Sequence, residues 1–107
     1  MCAAYQQVRK AGDVAGARNG GTDPTAILAV ATSTRQVLEV GSRYLITKLS
    51  EEPATPPDLA GAVRKLADAY QELTINYLDG LSNSDSELTP LLRAADEAHA
   101  TIEKLCK

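Results

Sequence analysis

Apolar positions recur along this chain at intervals of three and four, and in four separate stretches they line one side of a helix. In the first stretch, from residue 2 to about residue 18, the inward positions are Cys2, Tyr5, Val8, Gly12 and Ala15, and Asn19-Gly20-Gly21 ends it. The second covers 24–49, with Ile27, Val30, Ala31, Thr34, Val37, Leu38, Gly41, Tyr44, Leu45 and Leu49 on one face. Thr22 or Asp23 can cap it, and Pro24 falls at the first helical position, where a missing N–H removes no hydrogen bond. Gly41 interrupts good helix chemistry and predicts a close crossing with a neighbouring helix. The third stretch, 56–79, places Leu59, Val63, Leu66, Tyr70, Leu73 and Tyr77 along one packed seam. Thr55-Pro56-Pro57-Asp58 before it reads as a capping box with Asp in place of Glu, and Gly80 reads as the residue that ends the helix. The fourth, 86–106, turns Leu88, Leu91, Leu92, Ala95, Ala98, Ile102 and Leu105 inward. The serines of the polar turn 81–86 are candidate caps, and Pro90 falls in or just before the first turn. Neither strand-like alternation nor an internal repeat competes with this pattern.

Short connections favour antiparallel neighbours, so the expected architecture is all-α: a single-domain (1–107) four-helix up-and-down antiparallel bundle. That topology brings the start of the first helix and the end of the fourth to one end, which is where Cys2 and Cys106 lie. A disulfide between them is therefore expected, joining the two ends of the bundle. Two unrelated thiols in a cytosolic protein form one alternative. Another is a lipid on Cys2, as in a mature lipoprotein, which leaves Cys106 unpaired.

Composition narrows the classes. At 107 residues the chain fits one core. It has no Phe and no Trp, only four Tyr, so the core is built from Leu, Val, Ile and Ala, which suits helix-on-helix packing. The net charge of −3 disfavours a nucleic-acid partner, which needs a basic surface. The longest apolar run, residues 26–31, is far shorter than the roughly 18 residues of a transmembrane segment. The opening Met-Cys enters helical pattern at once, as a mature exported chain does when an initiator Met replaces its leader.

Candidate chemistry is sparse. Cysteines at the two ends do not have metal-ligand spacing, and His99, the single histidine, cannot supply the missing ligands, so no metal and no cofactor is nominated. A lone histidine on a four-helix bundle invites comparison with phosphotransfer domains. Here Ala100-Thr101-Ile102-Glu103-Lys104 follows, with no Gly and with a carboxylate that repels phosphate, so His99 reads as a solvated or partly packed surface residue. No Ser-His-Asp or Cys-His arrangement can be assembled, and no catalytic residue is nominated. Glu51-Glu52 and Asp96-Glu97 read as solvated charge. Gly20-Gly21 lacks the pattern of a phosphate loop. Tyr44, Tyr70 and Tyr77 lean inward, where a phenol packs its ring and sends its hydroxyl to a partner. A tyrosine cluster of this kind also lines ligand cavities, which makes the three the candidate ligand-binding residues.

Several runs together carry a resemblance: Cys2-Ala3-Ala4-Tyr5 with Val8-Arg9-Lys10-Ala11, Gly41-Ser42-Arg43-Tyr44-Leu45, residues 57–64 with Leu66-Ala67-Asp68-Ala69-Tyr70-Gln71, and Glu103-Lys104-Leu105-Cys106. Over nearly its whole length the chain resembles small exported helical proteins of actinobacteria, especially mycobacteria. The resemblance implies export and a cysteine pair near the two ends rather than an activity. Mycobacterial haemophores are also all-helical with two cysteines, an analogy at the level of class only.

The expected function is a non-enzymatic exported binding or interaction module of the cell envelope or extracellular space, which presents a helical face to a protein or a small apolar ligand. The alternative is a haem or lipid carrier with a cavity inside the bundle. Leu28, Ile46 and Ile75 are expected to be exposed, and they serve either a homodimer face or a wider core stripe.

Overall fold

The computed structural model describes residues 1–16 and 23–107. Four helices, α1 (Cys2–Gly16), α2 (Pro24–Glu51), α3 (Pro57–Leu78) and α4 (Thr89–Leu105), account for the described chain, with a single 3₁₀ turn, Ser86–Leu88, leading into α4. Each helix packs on the next in sequence, α1 on α2, α2 on α3 and α3 on α4, the up-and-down order that short connections favour. The ring is closed from α1 to α4 by the disulfide between Cys2 and Cys106, with their Cα atoms 5.7 Å apart.

The core follows the spacing read from the sequence most closely in α3, where Leu59, Val63, Leu66 and Leu73 are buried. They meet Tyr5 and Val8 of α1, Leu45 and Leu49 of α2, and Ala95, Ala98 and Ile102 of α4. Burial of leucine-sized side chains at these positions contributes roughly 1.5–3 kcal/mol each. Gly41 marks a close approach of α1 to α2: a Cβ there would lie 2.9 Å from Cγ1 of Val8. The absence of a side chain at Gly41 admits that approach.

Helix ends show which local signals held. Asp23 is the N-cap of α2, its carboxylate accepting from the Thr25 N–H at 3.1 Å; Thr22, the other candidate, lies outside the described residues, as do Asn19-Gly20-Gly21. The α3 helix ends in a complete Schellman motif, with the Gly80 N–H donating to the Tyr77 carbonyl and the Leu81 N–H to that of Asn76. Gly80 sits at φ 96°, a region that only glycine enters without strain.

Several expectations are corrected. The capping box at Thr55 does not form. The N-cap of α3 is Pro56, one residue later, because Pro57 with its fixed φ takes the first helical position. The Thr55 hydroxyl turns back to the Glu52 carbonyl instead. No serine caps α4, which begins three residues later than the spacing suggested, after the 3₁₀ turn, with Pro90 in its first turn. Gly12 is exposed rather than inward. So are Ile27 and Leu105, at opposite ends of the bundle. At 28 residues, α2 spans about 42 Å against about 22 Å for the 15 residues of α1. Taking Val8 opposite Gly41, the described part of α1 reaches only to the level of about Ser33, and Ile27 and Leu28 lie beyond it.

Leu28, Ile46 and Ile75 are exposed, as the sequence suggested. Among the described residues no helix is long and apolar enough to cross a membrane.

Candidate functional site

Two features stand out from the packing, a polar chain inside the bundle and an apolar groove on its surface.

The polar chain is built on His99. The α4 stripe Ala95, Ala98, Ile102 points into the core, and His99, one position further round, looks obliquely into the seam where α1 and α3 converge. It is half-buried between two phenols. The Tyr5 hydroxyl lies 2.8 Å from Nδ1, and the Tyr70 hydroxyl lies 2.7 Å from Nε2. Both phenol rings tilt against the imidazole with ring centroids 5.8 Å away. Tyr5 has a second partner, Oε1 of Glu103, at 3.2 Å.

Donor and acceptor roles follow from proton counting. A carboxylate oxygen only accepts, so the single proton of Tyr5 is donated to Glu103. Tyr5 must then accept from His99, which puts the imidazole proton on Nδ1 and leaves Nε2 as an acceptor for the Tyr70 hydroxyl. The chain therefore has one direction: Tyr70 O–H to His99 Nε2, His99 Nδ1–H to Tyr5 Oη, and Tyr5 O–H to Glu103.

Electrostatics agree with that assignment. Burial pushes the His99 pKa below its ordinary value, with the Arg9 cation acting in the same direction and the carboxylates of Glu103, Asp96 and Asp13 opposing it. The imidazole is neutral at neutral pH, as the directed chain requires. Burial also pushes Tyr70 up to about 12 and raises Tyr5 further, with the Glu103 charge and hydrogen bond adding to it. Both phenols keep their protons. Arg9 reaches towards Glu103 and Asp13, with Nε–O distances of 3.9 and 3.8 Å, and so holds a cation beside the outer end of the chain.

The tyrosines nominated from the sequence go to three different places. Tyr70 joins His99. Tyr77 donates to Asn83 in the turn after α3, and burial raises its pKa while that hydrogen bond opposes the shift. Tyr44 lies on the α1–α2 seam, with the Lys48 ammonium 5.5 Å from its ring centroid. Sequence reasoning missed Tyr5 as the partner; of its two readings of His99, solvated or partly packed, the structure has the second. A signal was present. Tyr5 and Arg9 are four residues apart on α1, and His99 and Glu103 four apart on α4, so each pair shares one helix face. The two phenols reach opposite nitrogens of one ring, and this arrangement cannot converge on a single metal ion.

The groove lies between α1 and α2 and measures about 360 Å³. Val8, Ala11, Val37, Val40 and Gly41 form its apolar wall, and Tyr44, Gln7 and Gln36 supply its polar edge. Val40 is 47% exposed because it faces this groove rather than the core. Both cysteines are in the disulfide, so neither offers a thiol.

No protein-family model matches the chain, and neither a curated protein nor a solved structure matches it.

Proposed function

We propose that this protein is an exported, non-enzymatic binding module of the cell envelope or extracellular space, and that it holds a small apolar ligand in the groove between α1 and α2. The observation that carries the reading is the groove itself. Its volume of about 360 Å³ falls in the range of small-molecule sites, and its composition, an apolar wall with a few polar groups at the edge, is the usual one for them. A valine left half in solvent on that wall gains from being covered. The disulfide supports an oxidising compartment.

A carrier with its ligand on the bundle axis would need room where Tyr5, Leu45, Val63 and Leu66 are fully buried. The seam of α1 and α2 offers space without displacing them. The groove, rather than the bundle axis, is therefore the place proposed for an apolar ligand.

Titration with N-phenyl-1-naphthylamine, an uncharged apolar fluorophore, tests the site. Saturable binding to the oxidised protein is expected, and Ala11→Trp, which fills the groove from its rim, should abolish it. Equal binding by the two proteins would place the ligand elsewhere. Non-reducing mass spectrometry of the protein from its own host tests export, and free thiols there would count against it.

A further inference from the structure

The hydrogen-bonded chain through His99 is not used by the binding reading, yet it joins side chains of α1, α3 and α4. A phenol that donates at 2.7 Å to a neutral imidazole has a base in place for its proton. Oxidation of a phenol by one electron becomes far easier when the proton leaves at the same time, because the protonated radical cation is a very strong acid. The remaining links continue the path outward, since Nδ1 of His99 already donates to Tyr5 and Tyr5 to Glu103. Glu103 is half-exposed, so a proton delivered there can exchange with water.

We propose that Tyr70 is a redox-active residue, oxidised by a one-electron oxidant with its proton passed through His99 and Tyr5 to Glu103. The step balances as follows. The oxidant gains one electron and Tyr70 becomes a neutral tyrosyl radical. The Tyr70 O–H bond breaks and an N–H bond forms at Nε2 of His99. The Nδ1–H bond of His99 breaks as Tyr5 Oη gains that proton, and the original Tyr5 proton moves to Oε1 of Glu103, which ends as a carboxylic acid. His99 and Tyr5 finish neutral, and the radical is held inside the bundle. The co-reactant belongs to the class of one-electron oxidants, such as an organic peroxyl radical or a high-potential metal complex.

The other tyrosines lack this arrangement. Tyr77 donates to an amide oxygen, which is too weak a base to take the proton, and Tyr44 faces the Lys48 cation. Tyr5 donates to a carboxylate but lies behind the imidazole on the same path.

Stopped-flow oxidation of the disulfide-bonded protein by hexachloroiridate(IV), in H₂O and in D₂O, tests the proposal. Wild type should show a fast phase with a solvent isotope effect of about twofold or more, and freeze-quenched samples should carry a tyrosyl signal in electron paramagnetic resonance. Tyr70→Phe should lose that phase. His99→Gln, which still accepts a hydrogen bond but cannot take a proton, should slow it by about 10²-fold, the lower end of what a positioned base contributes. Tyr77→Phe, which removes a phenol whose partner is only an amide oxygen, should leave it unchanged. An unchanged fast phase in Tyr70→Phe or His99→Gln overturns the proposal. Where a variant fails to fold by circular dichroism, absence of the isotope effect in wild type overturns it independently.

Discussion

The Tyr5 hydroxyl lies 2.8 Å from Nδ1 of His99, joining residues 94 positions apart across the seam between α1 and α4. Tyr5 is almost fully buried and His99 half-buried, so this part-buried bond helps to fix how α1 sits against α4. The disulfide links the same two helices at their ends. One contact sets the spacing at the end of the bundle and the other sets the rotation of α1 about its own axis.

Tyr5→Phe keeps the ring and removes the oxygen that accepts from His99. The Nδ1–H is then left without that partner, and a loss of about 1–3 kcal/mol is expected, the cost of an unmade buried hydrogen bond. Urea denaturation at neutral pH measures it. A loss near zero would show that water replaces the hydroxyl.

His99 titrates with a depressed pKa in the folded protein, so the unfolded chain takes up its proton first. Its contribution to stability is complete above about pH 6.5, the ordinary histidine value, and is lost as pH falls from there through the folded pKa. The groups around it are Arg9 and Asp13 on α1, Asp96 and Glu103 on α4, and the neutral phenols of Tyr5 and Tyr70. Denaturation midpoints should fall between pH 7 and 5.5 in the wild-type protein, and less steeply in His99→Gln. Parallel profiles would remove His99 as the cause.

Gly41→Ala sets two effects against each other. Helix propensity gains about 1 kcal/mol, while a Cβ 2.9 Å from Cγ1 of Val8 overpacks the crossing by about 1–3 kcal/mol. Valine is stiff about χ1 and cannot swing away, so the single variant should be less stable or at best equal. In Gly41→Ala combined with Val8→Ala the clash disappears. A favourable coupling in the double-mutant cycle, read from thermal melts, is the expected result, and strict additivity would contradict the close approach.

Reduction of the bond between Cys2 and Cys106 releases a loop with a sequence separation of 104. In the chain-entropy view a loop of that size stabilises the fold by about 4–5 kcal/mol. The Cys2→Ser/Cys106→Ser protein should lose about that much unfolding free energy in urea, seen as a lower midpoint, with the slope raised because its unfolded state is less compact. An unchanged midpoint would show that the bundle holds its ends together unaided.

Much of this fold was legible in the chain because helix-period spacing, proline at helix starts and Gly80 at a helix end all act locally. The α3 seam is the clearest case, since Leu59, Val63, Leu66 and Leu73 are buried where the spacing put them. The pairing of Cys2 with Cys106 was legible for a different reason, because antiparallel order alone brings two such positions together. Ile27 was misplaced because periodicity shows which face of a helix is apolar but not how far the neighbouring helix extends. The capping box failed at Thr55 because two prolines in succession moved the helix start by one residue. The chain through His99 was only half legible: the four-residue spacing of Tyr5 with Arg9 and of His99 with Glu103 is written in the sequence, but the meeting of the two faces is not. It depends on how far α4 is rotated, and a rotation of one residue decides whether an imidazole next to Ala98 faces solvent or two phenols from other helices.

The disulfide also changes what the molecule is as a connected object. With Cys2 bonded to Cys106, the backbone from one cysteine to the other is a closed circle of four helices, and in a circle no helix is first or last. A single protease nick in the turn between α2 and α3, residues 52–56, would open that circle without separating its parts. The α1–α2 and α3–α4 hairpins would remain one covalent molecule, with the order of the hairpins exchanged and the contacts between them unchanged.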